Sequence, residues 1–123
     1  MTINLDLITV GRISVDLFAE QINTSFTQPQ TFHKSIGGSP TNVAVAAARL
    51  GHTSAIITKV GVDPLGQYVV KKLQEFGVNT DFVKVAESGL TPVVLASQDP
   101  PEDPKIIFHR QPSAPDTQLT LND

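Results

Sequence analysis

Between Gly37 and Gly61 the sequence reads GGSPTNVAVAAARLGHTSAIITKVG, and no other stretch narrows the possible folds so far. Ser39 is a suitable N-cap, Pro40 suits the first helical position and Gly51 suits the residue just past the last, so the spacing predicts a helix over residues 40–50. Ala44, Ala46, Ala47 and Ala48 keep that helix thin enough to lie close on a sheet, while Val43 and Leu50 give it an apolar stripe. The β-branched run at 53–60 follows at once and has the continuous apolar character of a strand buried on both faces. A thin helix feeding a buried strand is part of a right-handed βαβ unit, which commits the chain to a parallel sheet.

The flanks extend this pattern. Residues 3–10 are short, apolar and β-rich and end at Gly11, giving a first strand. Asp63-Pro64 opens a second helix that runs to Phe76, with Leu65, Val69, Leu73 and Phe76 on one face and Gly77 as terminator. Ligand sites in such sheets lie beyond the carboxyl ends of the strands, which singles out residues 11–16. Two stretches interrupt the alternation. Residues 18–22 and 31–36 are extended candidates around the polar NTSFTQPQ, and PVVLAS and KIIFHR flank the proline-rich, acidic QDPPEDP, so each reads as a hairpin excursion. Residues 111–123 show no obvious terminal element. An open α/β sheet usually has more strands than the two or three found here, so the chain is expected to stop in mid-fold.

Composition excludes several classes. A hydrophobic content of 40% with 17% charged residues is that of a soluble globular domain. A formal charge of −3 without a basic stripe argues against a nucleic-acid partner. Asp6 interrupts the first apolar stretch, no basic segment precedes it, and no apolar run reaches membrane length, so neither a signal peptide nor a membrane partner is expected. With no cysteine there is no disulfide framework and no thiolate metal site, which sits well with a cytoplasmic location. His33, His52 and His109 are too far apart for local metal-ligand spacing. Glu102 and Asp103 read as a solvated turn. The glycine pair invites a phosphate, but neither G-x-G-x-x-G nor G-x-x-x-x-G-K-[ST] occurs, which also removes an α/β nucleotide-binding regulator from contention.

GGSPTN opening a helix, then Gly51, then Gly61, is similar to the first signature of the ribokinase-like (PfkB) carbohydrate kinases. VGRISVDLF resembles that family's first strand and following loop, and IIFHRQPSAPD resembles the returning lid strand of members acting on fructose and on sugar acids. Within the family, GR-x-x-x-DL together with GGSP-x-N looks most like the branch acting on 5-dehydro-2-deoxygluconate in inositol catabolism, with fructokinases and 2-keto-3-deoxygluconate kinases as close alternatives. The resemblance implies a ribokinase-like, Rossmann-type α/β core, N-terminal part only, with a β-strand lid formed near 18–36 and 92–110. It also implies ATP and Mg2+ as cofactors of the complete enzyme. The family's later G-A-G-D motif, with its anion hole and catalytic aspartate, does not occur in these residues, so the chain alone is expected to be inactive.

On this resemblance Asp16, Gly37, Gly38, Asn42 and Arg110 are the expected substrate-binding residues. Asp16 offers an acceptor-only carboxylate to sugar hydroxyls, and Asn42 a donor and an acceptor suited to a vicinal diol. Gly37 and Gly38 leave the backbone bare for a hydroxyl-rich ring, and Arg110 can fork onto a ligand carboxylate. Taken singly, Asp16 is equally a turn or cap residue, the glycine pair an aid to a strand-to-helix turn, Asn42 an ordinary first-turn residue and Arg110 a solvated strand-end charge. Arg12 is ambiguous. A homo-oligomer through the lid strands is expected, and a non-catalytic sugar-binding or assembly module is the rival from another class.

Overall fold

The computed structural model describes residues 3–123. β1 (Leu7–Val10) lies beside β4 (Ser54–Val60), and β4 beside β5 (Val83–Val85), all parallel. The crossovers are α1 (Ser39–Arg49) and α2 (Pro64–Glu75). Because both crossovers step in the same direction along the sheet, right-handedness sets both helices on the same face. Ile56, Val60, Val69 and Leu73 fill the space between, and Ala44 lets Ser54 Oγ donate to its carbonyl at 2.7 Å.

A second sheet is built from β2 (Ser14–Ile22), β3 (Phe32–Gly37), β6 (Val93–Gln98) and β7 (Ile106–His109), in the order β3-β2-β6-β7. Both expected hairpins are present as antiparallel pairs, with Val15 opposite Ile36 and Val94 opposite Phe108. They are joined by a parallel pairing of β2 with β6, Val15 beside Val93 and Leu17 beside Leu95, which the local patterns do not reveal. The chain closes on a single 3₁₀ turn, Pro115–Thr117, where the sequence showed no element.

Three boundaries differ from the sequence reading. β1 begins at Leu7 rather than at residue 3, because its partner β4 begins at Ser54; before that point Asp6 N donates to Thr53 O (2.9 Å) and Thr53 N to Asp6 Oδ2 (2.9 Å) in a clasp instead of a ladder. The N-cap of α1 is Gly38, not Ser39, and no side chain caps the helix. The turn into α1 needs φ +106°, which glycine supplies without strain, so Ser39 becomes the first helical residue. Asp16 is not in a loop beyond the first strand but is the third residue of β2. The strand starts early because Ile13, Ser14 and Val15 are all fully buried and Val15 N donates to Pro92 O at 2.9 Å.

Asp63 fastens the second sheet to the core. Its Oδ1 accepts from Gly66 N at 2.8 Å, capping α2, while Oδ2 accepts from Thr91 N (2.9 Å) and Thr91 Oγ1 (3.0 Å) just before β6. Gly61 N in turn donates to Thr91 Oγ1 at 2.9 Å. Burial pushes the Asp63 carboxyl up, but the donors from Thr91, Gly66 and Leu65 outweigh it and hold its pKa below the ordinary aspartate value. Such a group adds stability above its unfolded pKa, near ~3.9, that is lost as pH falls through the lower folded value. Asp63→Asn keeps an oxygen that can cap α2 but replaces the charged acceptor facing Thr91 by an NH2 group, so it lowers stability at pH 7 by about 1–3 kcal/mol through the lost charge-assisted bonds. In thermal melts from pH 7 to pH 2 the gap between the two proteins narrows below pH ~4; a gap that widens there contradicts this account.

On the face of the parallel sheet away from the helices, Ile8 and Val10 stay 47% and 59% exposed, although parallel sheets are normally covered on both sides. Purified as these 123 residues, the protein self-associates or binds a hydrophobic dye in its native state. Sedimentation velocity showing a stable, dye-free monomer contradicts this.

Candidate functional site

Alternation along the strands decides which side chains share a face. Asp16 pairs across to Val94 and on to Phe108, and Phe18 to Ala96 and on to Ile106, so two rungs of the mixed sheet present one carboxylate among apolar and aromatic groups. With Arg12 from the turn after β1, these residues line a cavity of about 230 Å3. Ser14 Oγ donates to Asp16 Oδ1 at 2.6 Å, which fixes the carboxylate and leaves Oδ2 without a hydrogen-bond partner among the described residues.

The glycine pair makes room first for the chain itself. A Cβ on Gly37 would lie 1.9 Å from Asp16 Oδ2, and one on Gly38 would lie 2.5 Å from the Arg12 carbonyl. The absence of side chains there lets the Asp16 carboxylate and the Arg12 backbone settle against the turn, so both glycines act on the cavity through residues that line it.

The other expected residues are not all brought to this cavity. Asn42 is exposed on the first turn of α1, its backbone N–H donating to Gly38 O at 2.8 Å, and it lines a separate groove with Ser35, Val45 and Arg49. Arg110 is not a free strand-end charge. Its Nε stands 3.2 Å from both carboxylate oxygens of Asp116, which is 4% exposed and also accepts from Ile13 N at 3.2 Å. Sequence reasoning gave Asp116 no role; its position behind a proline, in the segment quoted for the resemblance, was the available signal.

Arg12 is the charged residue that the sequence left undecided. Its guanidinium carbon lies 5.3 Å from the centroid of the Phe108 ring, across the cavity wall, and its Nη1 is buried. Among the described residues, Asp16 and Arg12 are the only ionisable ones lining the cavity. That donor set does not fit ATP with Mg2+: one carboxylate is too few for a hard cation, and no group of three His, Asp or Glu side chains gathers among the described residues.

A parallel α/β core with a four-stranded sheet carried on two hairpins is the architecture of ribokinase-like sugar kinases. The pfkB family carbohydrate kinase model matches residues 4–122, and the chain belongs to that family. It is 38% identical over 107 residues to 5-dehydro-2-deoxygluconokinase 2 of Bacillus cereus, covering 86% of this chain and 32% of that protein. It is 37% identical over 120 residues to 5-dehydro-2-deoxygluconokinase of Geobacillus kaustophilus, covering 97% of this chain and 36% of that protein. The chain thus spans about a third of the length of the curated relatives it matches. Among solved structures, a Pyrococcus horikoshii sugar kinase in complex with ATP superposes with a TM-score of 0.84 at 29% identity, over 94% of this chain and 37% of that one. Fructokinase from Xylella fastidiosa gives 0.79 at 28%, over 92% and 34%.

The contact between Gly37 and Asp16 is directly testable. Gly37→Ala places a methyl group where Oδ2 now lies, so the carboxylate must swing away or the β2–β3 pair must open. The expected cost is about 1–3 kcal/mol, read as a lowered unfolding midpoint, because overpacking in a close-packed site forces such shifts. In the double variant with Asp16→Ala most of that cost disappears; additive costs contradict the contact.

Proposed function

We propose that this chain is the acceptor-binding part of a sugar kinase, and that its acceptor is a sugar acid, with 5-dehydro-2-deoxygluconate the leading candidate. The observation that carries the reading is Asp16: a carboxylate fixed by Ser14 at 2.6 Å, in a monosaccharide-sized cavity, with one oxygen left for ligand hydroxyls. A carboxylate accepts hydroxyl protons only, which suits orienting the sugar. The mixed sheet acts as the lid over the sugar. ATP with Mg2+ is the phosphoryl donor, held by residues that this chain does not supply. The identity to the Bacillus and Geobacillus 5-dehydro-2-deoxygluconokinases supports the choice of acceptor; a place in inositol catabolism is what the family resemblance implies, and the absence of cysteine is in keeping with the cytoplasm. A neutral ketose is the rival acceptor, favoured by the likeness to Xylella fructokinase. The uncovered edges β3 and β7 of the lid sheet suit pairing with a second copy of the chain.

The test uses the full-length polypeptide. Asp16→Ala removes charge-assisted hydrogen bonds of ~1.5–3 kcal/mol in total, so affinity for the sugar falls roughly ten- to hundredfold while ATP affinity stays as it was. Separate calorimetric titrations with sugar and nucleotide read the two effects, and loss of ATP binding with intact sugar binding contradicts the assignment.

A further inference from the structure

Arg12 is held at the junction of the two sheets by its backbone. Its carbonyl accepts from Thr41 Oγ1 at 3.1 Å and lies against Gly38, where only a glycine leaves room for it. Its side chain is placed by Phe108, whose ring stands 5.3 Å from the guanidinium carbon. Nη1, however, is buried with no hydrogen-bond partner, alone among the buried side-chain nitrogens and oxygens of the described residues. No described carboxylate comes within ion-pair distance of it: Glu75, Asp103, Asp116 and Asp123 pair with other cations, and Asp6 lies beside His52. A cationic donor left buried and unpaired is costly, and the other polar group of the same cavity, Asp16, is already steadied by Ser14.

We propose that Arg12 binds a carboxylate of the acceptor and is the residue that makes the site prefer a sugar acid to a neutral sugar. The proposal rests on the reading of the Asp16 cavity as the acceptor site. The planar fork of a guanidinium matches a carboxylate in two parallel hydrogen bonds, and the buried Val94 lines the same cavity. The charge balance selects a carboxylate over a phosphate. Arg12 and Asp16 together bring no net charge to the cavity, so a single negative charge at the Arg12 end is tolerated, whereas a dianion would meet one guanidinium with a carboxylate nearby. Arg110, the cation that the sequence offered for this task, is already matched by the buried Asp116 at 3.2 Å. The ligand is thereby oriented end to end, its acid group on Arg12 and a hydroxyl on Asp16. Arg12 then acts on affinity and selectivity rather than on phosphoryl transfer itself.

The experiment compares full-length wild type, Arg12→Gln, Arg12→Lys and Asp16→Ala in calorimetric titrations with 5-dehydro-2-deoxygluconate and with D-fructose. The expected result is that Arg12→Gln lowers the preference for the acid over fructose by roughly ten- to hundredfold, from losing a charge-assisted bidentate pair. Arg12→Lys keeps part of that preference by retaining the charge. Equal weakening toward both ligands, or an unchanged preference in Arg12→Gln, overturns the proposal. Asp16→Ala separates the two readings: if it weakens both ligands while Arg12→Gln leaves the preference intact, the acceptor site stands and the role of Arg12 falls. If Asp16→Ala weakens neither ligand, the acceptor site lies elsewhere and both fall. Thermal melts of each variant confirm that the titrations report on folded protein.

Discussion

The parallel pairing of β2 with β6 is the constraint on which the rest of the site depends. Without it the two hairpins would be separate ribbons, and isolated two-stranded hairpins are marginal in water. With it, Asp16 stands beside Val94 and Phe18 beside Ala96, and the antiparallel partner β7 brings Phe108 and Ile106 onto the same face. Strand alternation does the remaining work, since a slip of one residue would turn Asp16 toward the opposite face of the sheet. Val15, on that opposite face, is fully buried in the core with Ile36, and this fixes the register.

That sheet is rooted where chain segments pass between it and the core, and each root is tied by a carboxylate or opened by a glycine. Asp63 holds the entry to β6 through Thr91. Asp116 holds the entry to β2 through Ile13 N and the exit from β7 through Arg110. Gly38 gives the turn from β3 into α1 its positive φ and lets the Arg12 carbonyl come close. The same contacts that attach the sheet also set the residues of the cavity, so the stability of the sheet and the geometry of the cavity are coupled here.

Much of the scaffold was legible in the sequence because its signals are local. Gly51 and Gly77 end the helices at positive φ as read, and Asp63-Pro64 starts α2 with a side-chain cap. The hairpins were legible from polar, proline-bearing turns between apolar runs. What escaped depends on distant partners. Asp16 looked like a loop residue because its place in a strand comes from partners on both sides, Ser35 of β3 and Val94 of β6, and the local pattern shows neither. Ser39 is chemically the better cap, but the backbone geometry demanded glycine one residue earlier. Asn42 was placed with the other expected residues by the family signature, and its helix turn carries it to another groove. Asp116 could not be assigned at all, since its burial comes from distant partners, β4 packed on its 3₁₀ turn and Ile13 N and Arg110 on its carboxylate, in a segment that has no periodicity of its own.

The contrast between the two arginines shows how structure converts ambiguous charges into roles. Both flank strands of the mixed sheet; from sequence alone Arg110 reads as a solvated strand-end charge and Arg12 is ambiguous. Arg110 meets a buried carboxylate and becomes part of the frame, its charge spent within the protein. Arg12 meets an aromatic ring, which orients a guanidinium but accepts no hydrogen bond of ordinary strength, so its buried Nη1 is left unmatched. Folded proteins keep buried polar groups satisfied, and departures from that rule concentrate where function requires them. Here the departure falls on a residue that lines the same cavity as Asp16, whose Oδ2 also lacks a hydrogen-bond partner among the described residues, as expected if a single ligand carrying both an acid and a hydroxyl completes them.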